Sequence, residues 1–505
     1  MANERSSLDV ASERAVLAAV RLPDSTYDVR DPFGELRALA EQAGAQVVGE
    51  LTQRLEKPVS ATFMGSGKVG ELKALCDELG AATIIFDHDL SPRQIGKLEK
   101  ETLRKIVDRS ELILDIFASR ATTTEAKLQV ELAQLEYTYP RLKAMWNHLE
   151  RISGGIGSRG PGEMQLEIDR RLVSARKVDL QRELETIQAR RRREVAARKR
   201  EHFTVGIVGY TNAGKSTLFN TLTAGGAYAD NRLFATLMTR TRDWDLGGGL
   251  GVMLSDTVGF VRDIPHHLVA SFKATLEEAT HADVLLIVLD ISDPAAELQY
   301  AAVNSVLDEL MKDLAESEEA WSPPPRVLLL NKADLLADNS KVLAWQRKVP
   351  GAMPICALPP AAGHGPLGQL GHAELTALVR EAAEGDVEEF DITVPMSDSR
   401  TVHAIETRGR VLARTYHEDG DGGGGRQGTV TLRAKMGRRQ LAQLRSGGAQ
   451  LDLRRPDGTA VRLAAMNDDP GRSRWSAEEV PGAAAEKSGR GAVDKGADGA
   501  DTSPA

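Results

Sequence analysis

The pattern of hydrophobic and polar positions predicts alternating strands and helices at the start of the chain. Short apolar runs rich in β-forming residues occur at 15–20, 46–51 and 82–86, with helical stretches between them. This alternation continues to about residue 108 and is typical of a small α/β domain.

A long helical segment follows. From Thr122 to about Arg200 the apolar residues take helical spacing, and a glycine-rich run at 153–162 interrupts them once. Because such a run cannot form regular structure, the pattern predicts a long helical hairpin with a flexible tip. Seven basic residues lie between Arg190 and Arg200, so the second helix carries a local basic patch.

Strands and helices alternate again in the second half of the chain. The apolar runs 284–289 and 327–330 are unbroken enough to be buried in a parallel sheet, which predicts a doubly wound α/β fold. Residues 387–468 suggest a strand, a helix, two strands and a helix, as in a small α+β domain with a mobile hairpin tip at 419–425. We therefore expect domains at 14–121, 122–202, 203–384 and 387–468, with disordered ends at 1–13 and 477–505.

Composition narrows the class of protein. No run approaches the roughly 18 uncharged apolar residues of a membrane span, and the first residues contain no apolar secretory segment, so we expect a cytoplasmic protein. The two cysteines, Cys76 and Cys356, form neither a disulfide pattern nor a zinc spacing. The net charge of -9 gives no overall attraction to nucleic acid.

One run fits the phosphate-binding pattern G-x-x-x-x-G-K-[ST] between a predicted strand and a predicted helix. Backbone N–H groups of such a loop wrap phosphates, its lysine reaches the terminal phosphates, and its hydroxyl residue binds Mg²⁺. The run consists of Gly209, Tyr210, Thr211, Asn212, Ala213, Gly214, Lys215 and Ser216, with Thr217 following in the helix.

Two further motifs follow at predicted strand ends. The run Asp256, Thr257, Val258, Gly259 would place its carboxylate near the metal and the Gly259 N–H near the γ-phosphate. The run Asn331, Lys332, Ala333, Asp334 follows a buried strand, at the edge where doubly wound sheets bind ligands. The three motifs in this order predict a nucleoside triphosphatase.

The last motif selects the base. Guanine offers two neighbouring donors, N1–H and the 2-amino group, which the Asp334 carboxylate can accept together, whereas adenine would present an acceptor to a buried carboxylate. We therefore expect GTP and GDP rather than ATP. The run Cys356, Ala357, Leu358 stands where GTPases commonly have Ser-Ala, and the Ala357 N–H could still serve guanine.

Hydrolysis would use Lys215, Thr236 and Gly259. Thr236 lies where a switch segment supplies a second Mg²⁺ ligand beside Ser216, within the run Phe234, Ala235, Thr236, Leu237, Met238. Phe260 occupies the place where Ras-like proteins carry a water-orienting glutamine, so hydrolysis should be slow until a partner or a rearrangement accelerates it. Potassium-activated GTPases carry an asparagine at the position of Asn212, where it helps to hold a K⁺ ion against the phosphates. Whether Asn212 does so here stays open.

Several stretches resemble the HflX family of GTPases: 112–120, 125–135, the glycine-rich block 154–163, and 256–266. This resemblance implies a GTPase, here expected to be monomeric, that binds the large ribosomal subunit and separates the subunits of stalled ribosomes under stress. It also implies that the glycine-rich loop approaches ribosomal RNA, with Gly154, Gly155, Gly157, Arg159 and Gly160 as candidate contacts. At 237–240 the chain has Leu-Met-Thr-Arg where the family has Leu-Asp-Pro-Thr.

Two other functions stay open. One is a GTP-dependent regulator of another protein or of an RNA-modifying complex, without ribosome splitting. The other is a nucleotide-sensing binding module that hardly turns over. The run 65–68, Gly-Ser-Gly-Lys, has only half of a phosphate-loop pattern, and we expect no phosphate site there.

Overall fold

The computed structural model describes most of the chain between residues 13 and 461. The described residues are 13–23, 25, 27–28, 30–153, 161–223, 239–247, 250–262, 279–317, 321–358, 370–385, 387–417, 428–446 and 448–461. The candidate RNA contacts at 154–160, the switch run Phe234 to Met238, the hairpin tip at 419–425 and the tail at 477–505 therefore lie outside the described residues. Glu13, expected to be disordered, instead accepts a hydrogen bond from the Gln46 N–H at 2.9 Å.

The N-terminal unit is a four-stranded parallel sheet with helices between its strands. Its sheet order is β2-β1-β3-β4, and β1 is buried along almost its whole length, as its apolar sequence requires. Strand β4 was not predicted, because three residues are too few to show a period. The elements are β1 (Arg14–Arg21), α1 (Gly34–Gln42), β2 (Gln46–Arg54), α2 (Ser66–Leu79), β3 (Thr83–Phe86), α3 (Pro92–Thr102), β4 (Lys105–Val107) and α4 (Arg109–Arg120).

Two long helices form the predicted hairpin, α5 (Thr124–Ser153) and α6 (Pro161–Glu201). They pack through Leu128 and Leu132 of α5 against Leu180 of α6. Among the residues that the structure describes, no helix is long and apolar enough to cross a membrane.

The central sheet has the order β10-β9-β8-β5-β7-β6, with helices between its strands along the chain, and confirms the doubly wound fold class. Strand β6 runs antiparallel to β7 at the edge and is mostly exposed, and it was not predicted. The elements are β5 (Thr204–Gly209), α7 (Lys215–Leu222), β6 (Arg240–Asp245), β7 (Gly251–Asp256), β8 (Val284–Asp290), α8 (Ala296–Ser317), β9 (Arg326–Asn331), α9 (Ser340–Lys348), β10 (Met353–Pro354) and α10 (His372–Glu384).

The last described unit is an antiparallel sheet of order β12-β13-β11-β14 with two helices, as expected for an α+β fold. The predicted order of a strand, a helix, two strands and a helix is present, and a three-residue strand, β14, which was not predicted, follows and pairs with β11. Its elements are β11 (Val387–Pro395), α11 (Ser399–Arg408), β12 (Arg410–His417), β13 (Thr429–Gly437), α12 (Arg438–Ser446) and β14 (Asp452–Arg454).

Candidate nucleotide-binding site

The phosphate-loop run joins the end of β5 to the start of α7 in the conformation that its glycines permit. Gly214 has φ of +97°, and a Cβ there would lie 2.2 Å from the Asn331 amide nitrogen. Asn212 takes the left-handed region at φ +61°, which asparagine tolerates better than most residues. The loop therefore curls tightly in front of the helix N-terminus, where backbone N–H groups and the helix dipole favour anions.

Lys215 is buried inside this loop. Its Nζ donates a hydrogen bond to the Tyr210 carbonyl at 2.7 Å, within the curl of the loop. Burial lowers the pKa of the Lys215 ammonium to about 8, although the nearby Asp256 carboxylate acts in the opposite direction. A buried amine whose charge is disfavoured gains most from an incoming anion.

Ser216 and Asp256 meet at the carboxyl ends of β5 and β7. The Ser216 hydroxyl donates to the Asp256 carboxylate at 2.8 Å, and the carboxylate is completely buried. A hydroxyl and a carboxylate oxygen at a helix N-terminus are the hard oxygen ligands that Mg²⁺ prefers, so these two residues fit the metal that the sequence predicts. The third predicted participant, Thr236, lies outside the described residues.

The Asp256-to-Gly259 run lies against the phosphate loop. The Phe260 N–H donates to the Gly209 carbonyl at 3.1 Å, and the Thr211 N–H donates to the Phe260 carbonyl at 2.7 Å. Gly259 packs so closely that a Cβ there would lie 2.7 Å from the Thr211 side chain and 2.9 Å from Lys215 Nζ. Thr257 donates to the Ile207 carbonyl at 2.7 Å, which fixes the start of the run on β5.

Asn331 connects the base-side loops to the phosphate loop. Its amide nitrogen donates to the Ala213 carbonyl at 2.7 Å, and its amide oxygen accepts from the Ala357 N–H at 2.9 Å. From the sequence we expected the Ala357 N–H to be available for guanine. In the structure it donates to Asn331 instead, because β9 and the 355–358 loop lie side by side. Lys332 pairs with Asp290 at 2.6 Å.

Cys356 replaces the usual serine beside the base-selecting carboxylate. Its thiol is buried, and the Asp334 carboxylate is near enough to act on the pKa of the thiol. Burial raises the pKa of the thiol and the Asp334 carboxylate raises it further, although a hydrogen bond from the Leu358 backbone opposes this. The thiol therefore stays protonated and can act as a donor, as a serine hydroxyl would.

A set of contacts that the sequence did not predict lies next to this site. The Tyr210 hydroxyl donates to Glu35 of α1 at 2.5 Å, and the Arg262 side chain reaches Asp87, directly after β3. The signal in the sequence was limited to the positions of Tyr210, inside the phosphate-loop run, and of Arg262, three residues after Gly259. Their partners lie 175 positions away along the chain, so no local pattern could have found them.

Three family models match consecutive parts of the chain. They are described as GTP-binding GTPase N-terminal at residues 30–118, GTP-binding GTPase Middle Region at 120–198, and 50S ribosome-binding GTPase at 204–332. The chain is also similar to a GTP-binding protein of Sulfolobus solfataricus in complex with GDP, with 24% identity over 73% of this chain and 98% of that one. The TM-score of 0.38 is too low to bear on function.

Similarity to curated proteins extends over most of the chain. The chain is 40% identical over 413 residues to GTPase HflX of Caldanaerobacter subterraneus subsp. tengcongensis, a match that covers 81% of this chain and 89% of that protein. It is 47% identical over 301 residues to GTPase HflX of Lacrimispora saccharolytica, which covers 59% of this chain and 70% of that one. The chain therefore belongs to the HflX family of GTPases and is an enzyme that binds and hydrolyses GTP.

Proposed function

We propose that GTP binds with Mg²⁺ where the phosphate loop, Asp256 and Gly259 converge. Lys215 would contact the terminal phosphates, Ser216 would hold the metal with Thr236, and the Gly259 N–H would face the γ-phosphate. The bound metal would neutralise charge on the phosphates. The contact of the Ser216 hydroxyl with the buried Asp256 carboxylate carries this proposal, because it brings the two oxygen ligands together beside Lys215.

The base would be selected by Asp334, with the Cys356 thiol holding its carboxylate. Asn331 and Lys332 would keep this loop in place through their contacts with Ala213 and Asp290. Asp334→Asn offers an N–H donor where guanine presents its 2-amino donor. We expect this variant to lose about 100-fold in GTP affinity and to gain affinity for xanthosine triphosphate, whose 2-oxo group accepts a hydrogen bond. Equal losses for both nucleotides, measured by competition binding, would contradict the base assignment.

Hydrolysis by the isolated chain should be slow. Phe260 is 2% exposed and its backbone pairs with the phosphate loop, so its side chain cannot orient an attacking water. The acceleration must come from a partner or from movement of the switch. Asn212, in the left-handed conformation at the loop, is the residue that would hold K⁺ if potassium supplies part of it.

The partner that we propose is the large ribosomal subunit, in the cytoplasm. The matching family at 204–332 is described as a 50S ribosome-binding GTPase, which supports this choice. The helical hairpin, proposed as a separate unit at 122–202, would carry the glycine-rich tip with Arg159 towards RNA. Part of the basic run on α6 is already paired, Arg190 with Glu194 and Arg191 with Glu125, so exposed residues such as Arg193 would meet phosphates.

Separation of the subunits of stalled ribosomes would then be the mechanical output of the GTP cycle. Binding of GTP would order the switch and strengthen binding to the ribosome, and hydrolysis would release the protein from the ribosome. The other candidate is a GTP-dependent regulator of a different protein or RNA-modifying complex, which would bind no ribosomal subunit in the GTP state.

Phosphate release from GTP, with and without purified large subunits, tests the proposal. We expect stimulation of about tenfold or more by the large subunit and little by the small subunit alone. Repeating the assay in sodium instead of potassium buffer tests Asn212 separately. If hydrolysis is slow and ribosomal subunits do not change its rate, the GTPase activity still stands, but the ribosome is not the partner. If the large subunit does stimulate hydrolysis, light scattering on 70S particles would report splitting directly.

A further inference from the structure

A buried ionic cluster joins the N-terminal sheet to the segment that follows Gly259. The Arg262 guanidinium nitrogen lies 3.1 Å from both carboxylate oxygens of Asp87. The same carboxylate accepts from Arg21 and Arg109, each at 2.8 Å. Asp87 is 2% exposed and Arg109 is 1% exposed, so these ion pairs are shielded from water.

The cluster lies where an α/β sheet normally binds a ligand. The order β2-β1-β3-β4 reverses direction between β1 and β3, and open α/β sheets bind ligands outside the carboxyl ends of the strands at that point. Arg21 ends β1 and Asp87 directly follows β3. The Arg262 side chain therefore fills the usual ligand position of the N-terminal unit.

A second carboxylate binds the phosphate loop and the Gly259 segment together. Glu35 accepts from the Tyr210 hydroxyl at 2.5 Å and from the Arg262 N–H at 3.2 Å, and the same N–H donates to the Tyr210 hydroxyl at 2.8 Å. Arg109 pairs with Glu35 at 2.9 Å and also donates to the Arg262 carbonyl at 3.1 Å. The backbone of Arg262 is thus held at both its N–H and its carbonyl.

Apolar contacts hold the same segment. Val258 and Val261 flank Gly259 and Phe260, and both are buried in the core of the N-terminal unit rather than in that of the central sheet. Gly259 itself packs on Thr211 and Lys215 of the phosphate loop. The segment therefore touches the N-terminal unit on one side and the phosphate loop on the other.

We propose that Asp87 and Glu35 are positioning residues for GTP hydrolysis: by fixing Arg262 and Tyr210, they hold Gly259 against the phosphate loop. The N-terminal unit thereby completes the catalytic site without touching the nucleotide. This inference rests on the proposed contact between the Gly259 N–H and the γ-phosphate. That contact needs precise placement, because displacement of a catalytic group by about 1 Å can cost about 100-fold in rate.

Asp87→Asn in the full-length chain is the main test. Asparagine keeps the size of the side chain and removes the charge, which leaves the arginine cluster with too few anions and releases Arg262. We expect single-turnover hydrolysis of GTP to fall by about 10- to 100-fold. Affinity for GDP should change by less than about threefold, because GDP has no γ-phosphate to contact Gly259. Tyr210→Phe, which removes one hydroxyl, should slow hydrolysis by about fivefold.

Asp108→Asn is the matched control. Asp108 is a completely buried carboxylate of the same unit, and it binds Arg141 and Tyr137 at 2.5 Å each, while none of its hydrogen bonds is to residues 258–262. It also caps α4, a position that asparagine fills equally well. We expect a similar loss of thermal stability to that of Asp87→Asn, with hydrolysis within about twofold of the wild type.

Three outcomes would overturn the positioning role. The first is an unchanged rate of GTP hydrolysis in both Asp87→Asn and Tyr210→Phe. The second is faster hydrolysis in these variants, which would mean that the cluster restrains the reaction. The third is a loss of hydrolysis in Asp108→Asn as large as that in Asp87→Asn. Gly259→Ala keeps the two proposals separable. If Gly259→Ala hydrolyses GTP normally, the proposed role of Gly259 fails; if it is inactive while Asp87→Asn is normal, only the positioning role fails.

Discussion

The N-terminal sheet and the central sheet show two uses of one architecture. Both are built on parallel strands whose carboxyl ends gather charged side chains. At the N-terminal edge, Asp87 is surrounded by three arginines, and the edge is filled from within the protein. At the central edge, Lys215 donates to a backbone carbonyl rather than to a carboxylate, so its charge is still available for an anion.

The difference shows that a fold-level ligand position does not by itself indicate a ligand site. The N-terminal edge has the topology of a binding site, but its ion pairs are satisfied by a segment of the neighbouring unit. The central edge has the same topology and also contains Lys215, whose charged ammonium form is destabilised by burial. The buried lysine, rather than the sheet topology, distinguishes the central edge, where we propose that the nucleotide binds.

The largest expected effect removes the charge that distinguishes the central edge. Lys215→Ala should weaken GTP and GDP binding by at least about 100-fold, because the phosphates lose a charge-assisted donor inside a buried loop. Fluorescent-nucleotide titration would measure this loss. Lys348→Ala, which removes an exposed lysine paired with Glu297, is the control and should bind normally. Unchanged GTP affinity in Lys215→Ala would contradict the assignment of the nucleotide site to this loop.

A pair of glycine substitutions compares the true phosphate loop with the half pattern at 65–68. Gly214→Ala places a Cβ 2.2 Å from the Asn331 amide at φ +97°, so we expect nucleotide binding to be lost and the protein to be less stable. Gly67→Ala meets nothing within 4 Å on α2 and should leave stability unchanged or raise it by up to about 1 kcal/mol. Calorimetric unfolding with and without GDP would measure both.

The outcome for Gly67 bears directly on a second nucleotide site. Lys68 is paired with Glu71 at 2.5 Å, and residues 66–79 form an ordinary helix. Normal ATP and GTP binding by Gly67→Ala would agree with the absence of a phosphate site there. A loss of ATP binding in this variant alone would instead establish one.

Local motifs could be recognised in the sequence because their chemistry needs residues that are neighbours along the chain. The phosphate loop, its strand and its helix lie within Thr204–Leu222, and the loop joins a strand to a helix as the pattern predicted. Strands β4 and β14 have three residues each, which is too short for a period of two to be recognised. Strand β6 alternates poorly because it is an exposed edge.

Long-range contacts were not predictable from one sequence. The hydrogen bond between the Arg262 N–H and Glu35 joins residues 227 positions apart, and nothing near Glu35 in the chain marks it. The Ala357 N–H was assigned to guanine because its position in the motif is known, whereas its use by Asn331 depends on how two loops meet. Packing decides such contacts.

A smaller loss of affinity than in Lys215→Ala is expected from a change of pH, and only the central edge should show it. Burial lowers the pKa of Lys215 to about 8 in the folded, nucleotide-free chain, from the 10.5 of an ordinary lysine. Between these values the unfolded state binds more protons, so the stability of the nucleotide-free chain should rise with pH. Because phosphates need the ammonium form, GDP affinity should fall above pH 8, by up to about tenfold per pH unit.

The N-terminal edge should not titrate in this range. Burial alone would raise the pKa of Asp87, but Arg109, Arg262 and Arg21 outweigh it and keep the pKa below its usual value. Its contribution to stability is therefore present above the ordinary carboxylate range and is lost only in acid. Calorimetric GDP titrations from pH 6.5 to 9.5, in buffers of different ionisation enthalpy, should show proton uptake on binding above pH 8. The same uptake in Asp87→Asn would exclude the N-terminal edge as its source, whereas a GDP affinity that is independent of pH would contradict the lowered pKa of the buried Lys215 on which the comparison depends.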